Sequence, residues 1–309
     1  MSILSNVTRG KVVKPHLVLL YGPDGVGKTS WAAGAPDPIF LCGEQGTDHL
    51  DVARLTLTSL ADLRAALSDL AATAHGYKTI VIDTLDWVEA MVLDDVVNRH
   101  GKKGEGIESI PYGKGRVYAL EAWRDLIPLL DACRDKGLHL IALAHSMVKR
   151  FDDPALPQGY DKYSLKLQDG AKTDVAALWR EYVDAVLFAN FEVAVNSDDK
   201  KRGFGDGTRV LFTERRPGFD AKNRWGLPFQ MKLDWAAYAK AVAERQAVAA
   251  AAGVDEVVSP ASLKELAKQV TDAKLRETVV KTIDEAGDDQ PKLAKVKARL
   301  LTLLNQGKK

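Results

Sequence analysis

The chain has 309 residues, 46% of them hydrophobic and 28% charged, which suits one large water-soluble domain plus a small one. Its formal net charge of +1 supplies no whole-molecule field for nucleic acid, so any DNA or RNA site has to be a local patch. The two cysteines, Cys42 and Cys133, each lie in an apolar stretch, which excludes a disulfide scaffold and reads as buried reduced thiols.

At the N-terminus, Met1 to Lys14 lacks the apolar core of a signal peptide, and no apolar run reaches the roughly 18 residues of a membrane span. The expected compartment is the cytoplasm, with no membrane partner. Four short apolar runs read as buried strands: His16 to Tyr21, Pro38 to Cys42, Thr79 to Asp83 and Leu138 to His145. Between them, Ser59 to Ala74 puts Leu60, Leu63, Leu67 and Leu70 on one helical face, opened by a Ser59 and Asp62 capping pattern. Val117 to Lys136 predicts another helix, kinked at Pro128. Val183 to Val195 and Thr208 to Thr213 add strands. Strands alternating with helices predict an α/β fold, a mostly parallel sheet flanked by helices.

Two long stretches, His100 to Arg116 and Ser146 to Lys172, have no period and read as loops, a length that in a compact domain points to function or disorder. After Trp235 an alanine-rich helix runs to Ala252 and breaks at Gly253. Ser259 to Asn305 reads as two or three helices, with Leu293, Val296, Leu300 and Leu303 on one stripe and Pro291 placed to start the last one. The expected division is a core at 1–253 and a small helical domain or appendage at 254–309.

Gly22, Pro23, Asp24, Gly25, Val26, Gly27, Lys28 and Thr29 fit G-x-x-x-x-G-K-[ST] at every fixed position, after a strand and before a helix. Such a loop turns backbone N–H groups toward phosphate oxygens at a helix start. Lys28 is then the residue for the β- and γ-phosphates of ATP, and the Thr29 hydroxyl a ligand of Mg²⁺. Asp83, after Ile80, Val81 and Ile82, is the carboxylate expected to hold Mg²⁺ through its water shell; its bland reading is a helix cap.

Many P-loop ATPases place a glutamate directly after that aspartate to activate water, but here the position is Thr84. Glu44, just past the strand Pro38 to Cys42, is the alternative general base, since a carboxylate at the carboxyl end of a parallel strand can face the γ-phosphate. A solvated loop residue is the competing reading of Glu44.

These motifs resemble the RecA-like ATPases, which carry a catalytic glutamate in a stretch similar to Phe40 to Thr47 and a polar sensor at the end of a later strand. The resemblance implies that His145, in Ala142 to Ser146, senses the γ-phosphate and passes its presence to the following loop. A closer likeness is to phage-encoded ATP-binding proteins of the Sak-type single-strand annealing group. It rests on Tyr21 to Thr29, Asp83 to Asp86, Tyr112 to Gly115, Ala144 to Ser146 and Asp220 to Arg224, within roughly residues 10 to 240. It implies a phage recombination ATPase that binds single-stranded DNA in the cytoplasm of a bacterial host. The chain lacks the long N-terminal polymerisation segment of cellular recombinases, which favours annealing or accessory roles over filament-driven strand exchange.

In RecA-like recombinases two loops face the DNA, and their counterparts are the two aperiodic stretches. The first holds Lys102, Lys103, Tyr112, Lys114 and Arg116. In the second, Lys149, Arg150, Tyr160, Lys162 and Tyr163 interleave cations and rings, which suits phosphate tracking and base stacking on single strands. Acidic neighbours such as Asp152, Asp153, Asp161 and Asp169 cancel much of that charge, so a solvated loop pair is the alternative. RecA-like ATPases also complete their sites with cations from a neighbouring subunit. Lys222 and Arg224 are the expected trans residues of a homo-oligomer, with Arg216 as alternate, unless Arg224 pairs with a carboxylate of its own subunit. Two other classes compete: a replisome loader or remodelling ATPase acting on a replisome or single-strand-binding protein, and a small-molecule kinase.

Overall fold

The structure is a computed structural model. It describes residues 14–300 except 44–45, 103, 155–157, 193, 196–202, 205–206, 253–259, 269, 271–272, 287–288, 290–291, 294 and 297–298. Contacts divide the chain into a large unit, Val12–Gln246, and a small one whose described residues follow from Ala247.

The large unit is an α/β fold, a mostly parallel sheet flanked by helices. Its main sheet has nine strands: β1 Leu17–Gly22, β2 Pro38–Cys42, β3 Ala53–Thr56, β4 Thr79–Asp83, β5 His139–Phe151, β6 Tyr160–Leu165, β7 Ala185–Phe191, β8 Arg209–Phe212 and β9 Gln230–Lys232. They lie in the order β9-β8-β7-β1-β5-β4-β2-β3, with β6 paired to β5. β7, β1, β5, β4, β2 and β3 run parallel; β8, β9 and β6 join antiparallel.

Both faces of β1 are buried, and its period of two divides them. Leu17, Leu19 and Tyr21 join one core cluster, Val18 and Leu20 the other. The first cluster is covered by α2 Leu60–Ala72, α3 Leu85–His100, α4 Gly115–Arg124, α5 Ile127–Asp135 and α6 Val175–Tyr182. The second is covered by α1 Lys28–Ala33 and the start of α7 Trp235–Ala252. Helix α2 forms as its sequence predicts: the Ser59 side chain accepts from the Asp62 N–H, and Leu60, Leu63, Leu67 and Leu70 are buried. Burying a leucine contributes about 1.5–3 kcal/mol, so this stripe alone fixes the helix on the sheet. Cys42 and Cys133 are buried thiols outside any disulfide.

Three expectations need correction. The segment Val117 to Lys136 is two helices rather than one kinked helix: α4 ends at Arg124, and Pro128 lies in the first turn of α5, where its missing N–H costs nothing. Ser146 to Lys172 is largely a hairpin. β5 continues past His145 to Phe151 and pairs with β6, from Ser146 opposite Leu165 to Phe151 opposite Tyr160. His100 to Arg116 contains two short 3-10 turns, Ile107–Ser109 and Pro111–Gly113, before α4 begins.

The small unit contains α8 Pro260–Ala267 and α9 Ala273–Ala286. Leu263, Ala267, Ile283, Leu293, Val296 and Leu300 share its core. Leu303 of the expected stripe, and Pro291, lie outside the described residues. Among the described residues no helix is long and apolar enough to cross a membrane.

Candidate nucleotide site

The loop Gly22 to Thr29 leaves β1 at its carboxyl end, and backbone geometry dictates its glycines. A Cβ on Gly22 would lie 2.2 Å from the carbonyl oxygen of Ala189 in the adjacent β7, a backbone atom that cannot move aside. Gly25 and Gly27 have φ of 70° and 101°, the left-handed region that L side chains disfavour. Lys28 is 6% exposed and donates its ammonium to the carbonyl oxygens of Gly22 at 3.1 Å and Pro23 at 2.9 Å. The lysine arches back across its own loop, so a charge is held over the cradle in which phosphates would sit.

The Thr29 hydroxyl donates to Asp83 Oδ2 at 2.9 Å, joining two residues 54 positions apart. Asp83 ends β4 and is buried. A hydroxyl and a carboxylate next to a phosphate loop form the partial oxygen set that Mg²⁺ accepts, the rest coming from water and phosphate. The residues fit that ion: Thr29 and Asp83 would hold it, and it would neutralise charge between the β- and γ-phosphates.

His145 stands opposite Gly22 in the β1–β5 register. Its Nε2 lies 3.3 Å from Asp24 Oδ1 of the loop, and its Nδ1 lies 2.8 Å from Asp86 Oδ2. Burial drives the Asp86 carboxyl upward, but hydrogen bonds from the His145 side chain and backbone outweigh it and hold it at about 2. Asp86 therefore stays a carboxylate, an acceptor only. Asp86 and Asp24 belong to the site, although sequence reasoning gave neither a role beyond the motifs; the one available signal was the spacing of Asp86 three residues after Asp83.

Glu44 lies outside the described residues. The residue before it, Gly43, donates its N–H to the Asp83 carbonyl at 3.2 Å.

The remaining expected residues fall in two other places. Lys149, Arg150, Tyr160, Lys162 and Tyr163 are all on the β5–β6 hairpin. Lys149 contacts Asp169 at 2.5 Å, and the exposed Arg150 lies 3.7 Å from Asp161. Tyr160 is half-buried against Phe151, with ring centres 5.5 Å apart. Lys162 faces inward: it is 6% exposed, donates to Asp220 at 2.8 Å and lies over the Phe151 ring. Tyr163 packs against Phe188 at 5.1 Å. The expectation of solvent-facing groups thus fails for Lys162, whose charge is matched inside the fold.

Lys222 and Arg224 lie toward the amino ends of β1 and β7, away from the phosphate loop at the carboxyl end of β1. Lys222 pairs by backbone with Val186, and Arg224 reaches Asp184 at 3.0 Å, beside the start of β1. Asp184 is also gripped by Arg134. Arg216 lies over the Phe229 ring at 4.0 Å.

Sheet order, a glycine cradle, a buried lysine and a Thr29–Asp83 pair define a P-loop nucleotide-binding protein. A family model described as an AAA domain, AAA_24, matches residues 14–225, and the chain belongs to that family. This gives it an AAA-type P-loop ATPase domain, which implies nucleotide binding and, as is usual for such domains, Mg²⁺. No curated protein matches the chain.

Proposed function

We propose that the protein hydrolyses ATP as a homo-oligomer and couples that cycle to single-stranded DNA, in the manner of phage recombination or annealing proteins of the Sak type. The carrying observation is the continuity of β5. One strand holds His145 against the phosphate loop and then runs unbroken to Lys149, Arg150 and Phe151 in the hairpin. A change in the loop around Asp24 therefore has a direct path to the hairpin. With Lys162 and Tyr163 held inward, Lys149, Arg150 and Tyr160 are the groups left to meet DNA there. Tyr112, 95% exposed, offers a further ring for base stacking. Glu44 acts as general base in this reading, and Lys222 and Arg224 serve a neighbouring subunit.

One observation favours a second reading. Val148 and Met147 on the same hairpin are 59% and 36% exposed, apolar groups that suit a protein partner such as a replisome component. Turnover measured with and without single-stranded oligonucleotide at low salt separates the two. DNA stimulation is expected. The Lys149→Ala and Arg150→Ala changes should each flatten the log–log salt slope of binding by roughly 0.7. Absence of single-strand affinity at low salt with ATP present would remove the DNA reading and leave the protein partner.

A further inference from the structure

A cavity of about 430 Å³ lies at the base of the β5–β6 hairpin, against α3 and the start of α4. That volume is in the range of ligand pockets. Leu93, Met147 and Leu167 give it an apolar part, and Arg116, Lys149 and Lys166 bring cations to it. Glu89 and Asp169 bring carboxylates.

The three cations differ in what already holds them. Lys149 lies 2.5 Å from Asp169. Arg116 lies 3.3 Å from Glu108 in an exposed pair, which holds it only weakly. Lys166 is exposed, and its ammonium meets no carboxylate among the described residues. Its backbone is fixed, the N–H donating to the His145 carbonyl at 2.9 Å. Gln168, 9% exposed, supplies polar wall. Its Nε2 donates to the carbonyls of Arg116 at 3.1 Å and Thr173 at 2.7 Å, which orients the amide. Its Oε1 is buried without a hydrogen-bond partner among the described residues. Its backbone N–H donates to Glu89 Oε1 at 2.8 Å, and a carboxylate has about four acceptor positions, of which that bond uses one. The cavity thus combines spare acceptors, a cation without a counter-ion and apolar side chains.

We propose that this cavity captures the C-terminal end of a partner protein. The terminal carboxylate meets Lys166 and Arg116, peptide N–H groups meet Glu89 and Gln168, and an apolar last side chain packs on Leu93, Met147 and Leu167. A peptide terminus carries an anion, a donor and an apolar group within one residue, which is the combination the walls match. A nucleic-acid strand matches them less well, because its repeating phosphates would have to pass Glu89 and Asp169. A terminus instead places a single negative charge at the lysine.

Fluorescence anisotropy of the full chain at low salt, with two labelled peptides that both end in Gly-Ser-Leu, tests it. One peptide is the free acid and the other its C-terminal amide. Wild type should bind the acid about tenfold more tightly than the amide, the worth of one charge-assisted contact. Lys166→Ala should lose about tenfold for the acid and leave the amide unchanged. Met147→Asp should weaken both. Equal affinity for acid and amide overturns the capture of a terminus, and so does an acid affinity that Lys166→Ala leaves intact. Binding of neither peptide overturns it as well. If, in addition, a single-stranded oligonucleotide binds and loses about tenfold in Lys166→Ala, the cavity belongs to nucleic acid. No nucleotide is needed in these titrations, so their failure leaves the phosphate-loop reading standing.

Discussion

Asp86 holds His145 at two points: Oδ2 lies 2.8 Å from the ring Nδ1, and Oδ1 accepts the backbone N–H at 3.1 Å. The pair fixes the ring and the strand together, so the imidazole presents Nε2 to Asp24 in one orientation. Asp86→Ala should leave a buried N–H unpaired and destabilise the fold by about 1–3 kcal/mol, read from urea denaturation. ATP affinity should hold within a few-fold while DNA-stimulated turnover falls. An equal fall in affinity and turnover would show that Asp86 shapes the pocket and does not relay from it. The carboxyl sits at about 2, below its ordinary 3.8. Its contribution is therefore complete above the ordinary value and fades as pH falls through about 2.

The phosphate loop yields a second prediction. Lys28→Ala should abolish hydrolysis and weaken nucleotide binding, because the buried ammonium it removes is the charge held over the cradle. Glu44→Gln should instead bind ATP and hydrolyse it ~10² times more slowly or worse, as expected when a general base is lost. Single-turnover rates and equilibrium affinities measured on the same variants separate the two behaviours. Wild-type turnover in Lys28→Ala would refute the loop assignment.

The parts of this molecule legible in its sequence are those encoded by local pattern. An unbroken apolar run followed by the loop motif marks β1, and the Leu60, Leu63, Leu67 and Leu70 stripe marks α2, because burial there repeats with the element's own period. The hairpin is different. Met147 to Phe151 and Tyr160 to Lys162 carry charges and rings on both faces, so no period-two apolar pattern announces a strand, and backbone pairing alone defines the register. Lys162 reads as a DNA contact until the fold brings in Asp220, 58 residues later. Arg209 reads as the first residue of an ordinary strand until β8 joins β7 and sets it against Gly27. Pro128 reads as a kink because the same residue kinks a helix interior or opens a helix, and only the break after Arg124 decides.

His16 gives a pH prediction. Burial, then the nearby His139 and Arg134, lower its pKa from 6.5 to about 4. Its backbone N–H donates to His139 Nδ1 at 2.8 Å, and its ring packs against Trp225 and Tyr238. In the window between the two pKa values the unfolded chain binds a proton that the folded chain refuses. Stability therefore falls as pH drops through 6.5 and levels off below about 4, by on the order of 3 kcal/mol from this group. Denaturation midpoints at pH 7.5 and pH 5 check it: His16→Leu should shrink the difference, with the remainder left to His139, whose pKa is lowered by the same burial. A difference as large as in wild type would place the acid sensitivity elsewhere.

Arg224 decides whether catalysis is shared between subunits. Its guanidinium is 63% exposed and held 3.0 Å from Asp184 of its own chain, at the amino end of β7 and away from the phosphate loop. From there it cannot serve its own nucleotide, so a catalytic role requires a neighbour's pocket. Asp184 is buried but is also held by Arg134, so assembly can draw Arg224 to a phosphate without leaving that carboxylate unpaired. Lys222 lies near it, its pKa lowered by burial and then by the Arg224 charge. Charge on the γ-phosphoryl oxygens grows in the transition state, and a cation delivered there accelerates transfer by ~10³-fold or more. Arg224→Ala should therefore fold, retain ATP affinity and lose turnover by that order. Mixing it with Lys28→Ala should restore part of the activity, because some interfaces then pair an intact loop with an intact arginine. Turnover independent of protein concentration, with no recovery on mixing, would mean that each chain works alone and that Arg224 serves only as a partner of Asp184 within its own subunit.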